Sequence, residues 1–265
     1  WPLPAMAPLA QTLALLAMAV VATATIEVVP LDMARDSFDD QYRGCGPAMT
    51  AALPALNRSE FQQNPLFAEA WQKAAALWQR LAAPTSPLSL EQAIAVTAYM
   101  MNGRLHSTFN DAVREARRSA QHYREDFPYK TLHFLLTQAV VTLKDAQKEK
   151  CHEYLHFDCG VWVEAKLGDT VRFGQFKPIP LGGKNVPCPV ETVIEVYTCH
   201  GVDIGSFTGK PGDLGLLLIP PFETFEVTVL SQEGDKSQIQ LRSTGTRSNY
   251  NCEWQKGDST GDSLG

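Results

Sequence analysis

The hydrophobic positions in the first half of the chain follow helical spacing. Over residues 61–82, apolar side chains recur every three or four positions, which predicts an amphipathic helix. Ser89 followed by Gln92 resembles a capping box and predicts the start of a second helix. The same spacing continues through residues 109–116 and again over residues 130–146. The first half is therefore expected to be helical.

The pattern changes after Cys151. Short runs rich in β-branched and aromatic residues are now bounded by glycine and proline, which predicts strands. These runs are residues 161–165, 170–176, 192–198, 216–219, 225–230 and 238–241. Because the strands follow the helices rather than alternate with them, the pattern favours an α+β fold over a doubly wound nucleotide-binding fold.

The N-terminal segment has the composition of a secretory signal. Residues 9–21 are almost entirely apolar and are followed by small residues suited to peptidase cleavage. This run is short for a helix that crosses a bilayer. We therefore expect a signal peptide over residues 1–24, with Met6 as the translation start and residues 1–5 upstream of it. The folded domain is expected over residues 25–256.

The net charge and the composition of the C-terminal segment bear on whether the protein binds nucleic acid or a membrane. The formal net charge is −6, and no basic run marks a nucleic-acid binder. Residues 257–265 are polar, which predicts a flexible tail without the hydrophobic segment of a GPI signal. Asn57 begins a glycosylation sequon. These features predict a secreted protein with no membrane anchor.

Six cysteines are an even number in a chain that carries an export signal, which favours disulfides. Their spacing alone leaves the pairing open. They are Cys45, Cys151, Cys159, Cys188, Cys199 and Cys252.

One short motif suggests zinc chemistry. His152, Glu153 and His156 match the H-E-x-x-H pattern, in which a helix places both imidazoles on one face for a single metal ion. The flanking sequence is typical of strands, where residues four apart are separated by roughly 13 Å. His200 and Glu195 are the candidates for a third ligand. A zinc hydrolase is therefore the minor alternative.

Six segments, in order along the chain, resemble the vertebrate arginine-specific mono-ADP-ribosyltransferases, also called ecto-ADP-ribosyltransferases, and especially the secreted avian members. The segments are residues 36–42, 129–137, 168–176, 197–199, 218–227 and 249–252. Together they span nearly the whole of the expected domain.

The resemblance implies a fold, a reaction and partners. Family members carry NAD in a cleft of the β-rich part and transfer its ADP-ribose to a protein arginine, releasing nicotinamide. NAD and extracellular arginine side chains are thus the implied partners. By the same resemblance the disulfides are Cys45–Cys252 and Cys151–Cys199, with Cys159 and Cys188 unassigned.

The family's catalytic positions are all substituted in this chain. By resemblance, His156 stands at the position of an Arg that binds NAD. Residues Pro178, Ile179 and Pro180 stand, by the same resemblance, where the family has a Ser-Thr-Ser motif on a strand. Leu214 and Leu216 replace the two acids of a Glu-x-Glu motif, and Asp213 is the nearest acid upstream. Loss of a preorganised charge of this kind typically costs about 3–4 kcal/mol, or roughly 10²–10³ in rate. We therefore expect little or no transferase activity.

The resemblance also implies which residues lie near NAD. Gln175 matches a family position near the cofactor, and Arg172 and Phe176 flank it in the same retained run. The alternative is that this run is retained for the sheet. Glu223 and Glu226 lie in a segment of ordinary family sequence and are interpreted as structural. The two functional hypotheses are thus an arginine ADP-ribosyltransferase of low activity and a non-catalytic secreted binding protein on the same fold.

Overall fold

The computed structural model describes residues 27–80, 86–101, 103–115, 120–147, 151–180, 191–207, 215–234 and 236–256. The predicted signal peptide and the C-terminal tail lie outside these residues. The helices are α1 (Gly46–Gln63), α2 (Pro65–Arg80), α3 (Leu90–Met101), α4 (Gly103–Glu115), α5 (Ala120–Asp126) and α6 (Lys130–Gln147). The strands are β1 (Glu27–Pro30), β2 (His152–Cys159), β3 (Val161–Glu164), β4 (Thr170–Val171), β5 (Lys177–Pro180), β6 (Glu191–Thr198), β7 (Val202–Asp203), β8 (Leu216–Ile219), β9 (Glu223–Glu233) and β10 (Lys236–Thr246).

The α+β prediction is confirmed, but the first helix was missed. α1 contains Pro54 and only a weak apolar stripe, so its sequence gives little helical signal. The helix predicted over residues 61–82 is in fact the end of α1 followed by α2. Asn64 separates the two, and its Oδ1 accepts a hydrogen bond from the Phe67 amide at 3.1 Å. Pro65 suits the first turn of α2, where its missing N–H is not needed.

Two polar contacts set the starts of the helices that form the core. The predicted capping box is present at α3: the Ser89 amide donates to Gln92 Oε1 (2.9 Å), and the Gln92 amide donates to Ser89 Oγ (3.2 Å). At α6, the buried carboxylate of Glu60 accepts hydrogen bonds from the amides of Lys130 and Thr131, at 2.5 and 3.1 Å. A helix that is buried along most of its length is thereby capped by α1.

The strands form a five-stranded sheet in the order β2-β6-β10-β9-β4, a three-stranded sheet β5-β8-β7 and the pair β1-β3. In the five-stranded sheet β6 and β10 are parallel and the other neighbours are antiparallel. One apolar core lies among the helices, and a second is built from residues of the sheets, such as Ile194 and Phe225. The helical half thus packs on a β-rich half, as predicted.

The strand predicted over residues 170–176 was wrong beyond Val171. The Arg172 amide donates to the carbonyl of Asp32 at 2.7 Å instead of to a strand of the sheet. Gly174 then takes a φ of 63°, which turns the chain out of the extended conformation. Pairing resumes at Lys177, the first residue of β5.

The two ends of the described domain are tied together. The implied disulfides Cys45–Cys252 and Cys151–Cys199 are both present. Cys159 is an exposed free thiol, whereas Cys188 lies outside the described residues. Asp40 adds to the junction, because its carboxylate accepts hydrogen bonds from the backbone amides of Cys252 and Glu253 at 3.0 Å each.

Candidate active site

A cleft of about 1110 Å³ lies in the β-rich half. Its borders are β1, the segment that follows β1, and residues of β2, β3 and β6, with the start of β5 at one end. Arg114 of α4 closes one side. Small-molecule sites usually enclose roughly 300–1000 Å³, so the cleft suits a large ligand such as a dinucleotide.

Charges of both signs line this cleft. The cations are Arg35, Arg114, Arg172 and Lys177, and the acids are Asp32, Asp36 and Asp158. Arg172 is engaged within the protein. The other three cations are therefore the candidates to contact an anionic ligand in the cleft. Arg35 comes from the N-terminal segment, Arg114 from α4 and Lys177 from β5.

Asp158 and Lys177 line one end of the cleft, and Asp158 is joined to His156 by one hydrogen bond and to Lys177 by one ion pair. The His156 Nε2–H donates to Asp158 Oδ1 at 2.8 Å, and Lys177 Nζ lies 3.5 Å from the same oxygen. Burial alone would raise the pKa of Asp158, but the hydrogen bond from His156 and the charge of Lys177 outweigh it and lower that pKa. The Asp158 carboxylate is therefore ionised at neutral pH.

Gln175, which the resemblance places near NAD, is half-buried and lines the cleft. Its Oε1 accepts a hydrogen bond from Arg114 Nη1. Arg114 also pairs with Asp111 one helical turn away, which orients the guanidinium. The hydrogen bond from Arg114 thus orients the Gln175 side chain through its oxygen. The N–H groups of the Gln175 amide take no part in this hydrogen bond.

Arg172 and Phe176 flank Gln175 but belong to the interior. The Arg172 side chain is only 1% exposed and forms an ion pair with Asp39. Its guanidinium also donates to the carbonyls of Met33, Ala34 and Arg247. Phe176 is fully buried in the helical core. These placements favour the interpretation in which both side chains are retained for the fold.

The structure places two segments side by side in which the resemblance implies catalytic residues. In the antiparallel register of β5 and β8, Pro178 lies opposite Leu218 and Pro180 lies opposite Leu216. Leu216 is half-buried and packs against the helical core. Leu214 and Asp213 lie outside the described residues. At the described positions, apolar side chains and prolines stand where the resemblance implies acids and hydroxyls.

The H-E-x-x-H segment forms a strand, which removes the helical geometry that the zinc hypothesis requires. His152 and His156 lie on one face of β2, separated by roughly 13 Å along it. Glu195 pairs with Leu155, so its side chain lies on the opposite face from His156. Among the described residues, no three His, Cys, Asp or Glu side chains are grouped so as to hold a metal ion.

Residues 31–249 match the model of the NAD:arginine ADP-ribosyltransferase family. The chain belongs to this family. It is 46% identical over 235 residues to the erythroblast NAD(P)(+)–arginine ADP-ribosyltransferase of Gallus gallus, covering 87% of this chain and 78% of that protein. It is 42% identical over 247 residues to the GPI-linked NAD(P)(+)–arginine ADP-ribosyltransferase 1 of Oryctolagus cuniculus, covering 86% and 75%.

A solved structure gives the same assignment. A variant of the eukaryotic mono-ADP-ribosyltransferase ART2.2 in complex with NAD superposes with a TM-score of 0.69 and 28% identity, covering 84% of this chain and 98% of that one. The arginine ADP-ribosyltransferase family uses NAD as its substrate, as the resemblance implied.

Glu223 and Glu226 differ sharply in their surroundings. Glu223 is fully buried and accepts hydrogen bonds from Thr198 Oγ1 (2.6 Å), the amides of Cys199 and His200 (2.8 and 3.0 Å) and Ser243 Oγ (2.7 Å). Glu226 is exposed on β9. The contacts of Glu223 join β6, β9 and β10, which supports the structural interpretation made from the sequence.

Sequence reasoning missed Asp158, Lys177 and Arg114 as cleft residues. A signal for one of them was present: on a strand, Asp158 shares a face with His156, two positions earlier. Lys177 stands alone in an apolar run and Arg114 lies among other charges of its helix, so neither is singled out by sequence, and the packing of β5 and α4 brings them to the cleft.

Proposed function

We propose that this chain binds NAD in the cleft and transfers ADP-ribose to arginine far more slowly than an intact family member, or not at all. The observation that carries the proposal is the pairing of β5 with β8, which puts Pro180 opposite Leu216. Both family motifs that meet there have lost their polar side chains. Retention of the cleft, with Gln175 on its wall, supports the binding half of the proposal.

The chemistry explains why these substitutions matter. Breaking the nicotinamide–ribose bond builds an oxocarbenium-like positive charge, which a nearby carboxylate stabilises. A second carboxylate directs the guanidinium acceptor, which is a poor nucleophile while protonated. Leucine can do neither. Loss of one such charge lowers the rate roughly 10²–10³-fold, and several losses in one site do not simply add.

Within the retained run, we assign the contact with NAD to Gln175. Its side chain lines the cleft, whereas its two neighbours are engaged in the interior. A single lost hydrogen bond costs about 0.5–1.5 kcal/mol, so Gln175→Ala is expected to weaken NAD binding by up to about tenfold. Gln232→Ala, on an exposed part of β9, is the matched control and leaves the affinity unchanged.

Isothermal titration calorimetry with NAD tests this assignment. Equal dissociation constants for the wild type and Gln175→Ala, in protein that is folded by circular dichroism, would contradict a contact at Gln175. Absence of NAD binding by the wild type would contradict the proposed function itself.

We also propose that the protein acts outside the cell, in secreted form. Two disulfides of long sequence separation form and persist in oxidising compartments, which supports export. No helix in the described part of the chain is long and apolar enough to cross a membrane. Expression in animal cells tests the form: secretion predicts protein in the medium, whereas protein released from the cell surface by a phosphatidylinositol-specific phospholipase would indicate an anchor.

A further inference from the structure

The cleft wall at Gln175 is attached to the helical half of the molecule through buried hydrogen bonds. We propose that Tyr99 of α3 and Asn110 of α4 are positioning residues, which fix the place of the Gln175 side chain on the wall by holding the backbone of the residue after it. The inference rests on the proposed function for the ligand, NAD. It makes a separate claim, which is that two residues outside the cleft control how tightly the cleft binds.

The hydrogen bonds of these two residues meet at the carbonyl oxygen of Phe176. The Tyr99 hydroxyl donates to this oxygen at 2.8 Å, and Asn110 Nδ2 donates to it at 3.1 Å. Asn110 Nδ2 also lies 3.1 Å from the Tyr99 hydroxyl oxygen, so the two side chains orient each other. Tyr99 and Asn110 are almost fully buried, at 0% and 3% exposure. Water does not readily replace a donor that is lost at such a site.

The helix α4 holds the same short segment at a second point. Asn110 and Arg114 are four residues apart on α4, so they lie on one face of the helix. Asn110 bonds to the Phe176 carbonyl, and Arg114 Nη1 donates to Gln175 Oε1. One helix face thus contacts both the backbone beside Gln175 and the end of its side chain.

The residue before Gln175 is held from the other side. The buried Ser37 hydroxyl donates to the carbonyl oxygen of Gly174. Gly174 has a φ of 63°, and a Cβ at this position would overlap the Cβ of Ala34. Gln175 therefore lies between two fixed carbonyl groups, one bonded to the N-terminal segment and the other to α3 and α4.

These side-chain contacts hold a segment that sheet pairing does not. In the described structure, pairing of β4 ends at Val171 and pairing of β5 begins at Lys177, so Gln175 lies in the connection between two strands. A binding group contributes fully only when it is held within about 0.5 Å of its productive position. The hydrogen bonds from Tyr99 and Asn110 supply this support in place of a strand neighbour.

NMR of the Gln175 side-chain amide tests the positioning without NAD. In isotope-labelled protein, the N–H signals of this group are assigned by their absence from Gln175→Ala. Tyr99→Phe, which removes one oxygen and keeps the ring, is expected to shift these signals, and Asn110→Ala should do the same. Tyr129→Phe is the matched control, because it removes a hydroxyl that lies 3.1 Å from Thr108 Oγ1 of α4, a contact outside the cleft wall. Signals that stay unchanged in both variants would overturn the inference.

Calorimetry with NAD measures what the positioning contributes to binding. Tyr99→Phe is expected to raise the dissociation constant about two- to tenfold, which is the range of one lost hydrogen bond. The effect of Gln175→Ala is its upper limit, because Tyr99 acts through Gln175. In a Gln175→Ala background, Tyr99→Phe should therefore have no further effect. Tyr129→Phe should leave the dissociation constant unchanged in both backgrounds.

This double-mutant cycle separates positioning from a general loosening of the fold. An effect of Tyr99→Phe that is equally large with and without Gln175 would contradict the inference, and so would the absence of any effect in the wild-type background. Failure of the wild type to bind NAD would contradict the proposed function alone, and the NMR comparison would then decide whether Tyr99 and Asn110 position Gln175.

Discussion

The Asp39 carboxylate and the Arg172 guanidinium form an ion pair in which both side chains are almost fully buried, at 0% and 1% exposure. The same carboxylate accepts hydrogen bonds from the backbone amides of Asn249 and Tyr250 at 2.8 and 3.0 Å. Arg172 also donates to carbonyls of the segment after β1 and to Arg247. One buried pair thus joins the beginning of the domain, the cleft wall and the C-terminal strand region.

Removing one partner of this pair is expected to destabilise the fold. Arg172→Met leaves the Asp39 carboxylate buried and without its counter-charge, which typically costs about 3–5 kcal/mol. Urea unfolding measures the loss. Lys166→Met, which removes an exposed cation, is the control and should change the free energy of unfolding by no more than about 0.5 kcal/mol.

The milder substitution Arg172→Lys distinguishes a structural role of Arg172 from a role in NAD binding. Because Arg172 is engaged inside the protein, the folded fraction of this variant is expected to bind NAD with the wild-type dissociation constant. A stable variant that has lost NAD binding would show that Arg172 contacts NAD after all.

His133 makes stability depend on pH. Burial lowers its pKa to about 3, against an opposing contribution from the carbonyl of Phe38, and its Nδ1 lies 2.9 Å from the Tyr42 hydroxyl. An unfolded chain takes up this proton near pH 6.5, so between about pH 6.5 and 3 the unfolded state binds more protons. The free energy of unfolding is therefore expected to fall by up to about 1.4 kcal/mol for each pH unit below that value.

Urea unfolding at several values from about pH 7.5 down to about pH 5 checks the His133 prediction. Burial also raises the pKa values of Asp40 and Glu60, and their contributions have the opposite sign, so the comparison with a His133 variant isolates the contribution of the imidazole. His133→Gln should reduce the slope, while Gln232→Ala, which changes an exposed side chain on β9 that does not titrate, is the control and should leave it unchanged. An identical slope in all three proteins would contradict the assignment.

Glu223 and Glu226 offer a paired test of structural and catalytic roles. Glu223→Gln replaces a buried acceptor of four hydrogen bonds and is expected to cost about 1–3 kcal/mol of stability. Glu226→Gln, on the exposed face of β9, should stay within about 0.5 kcal/mol of the wild type. Neither change should alter NAD affinity in folded protein. A selective loss of affinity in Glu223→Gln would assign it to the site instead.

Local signals in the sequence predicted most of the fold. The capping box at Ser89 and the apolar stripe of α6 are set by residues three or four apart, and both were found where expected. α1 was missed because its burial depends on partners such as α6 rather than on a strong stripe of its own. The end of β4 was missed because Arg172 bonds to Asp32, a residue far away in sequence.

The candidate site was less predictable from the sequence, because contacts between segments that are far apart along the chain bring its residues together. Family resemblance located His156 and Gln175, and both lie at or beside the cleft. It gave no indication of Lys177, whose pairing with Asp158 depends on how β5 lies against β2. Nor did charge patterns reveal that Arg172 is an interior residue, since a lone arginine in a strand-like run has the sequence signature of a surface charge.

The most direct test of the account is one sample in which NAD binding is measured by calorimetry and nicotinamide release is then measured with agmatine as the arginine analogue. The erythroblast enzyme of Gallus gallus is the reference for an active relative. The account predicts saturable binding of NAD by this chain, with release slower than that of the reference by at least about a hundredfold. Release at the rate of the reference would contradict it, because another group would then have to replace the two acids that the family resemblance implies at the positions of Leu214 and Leu216.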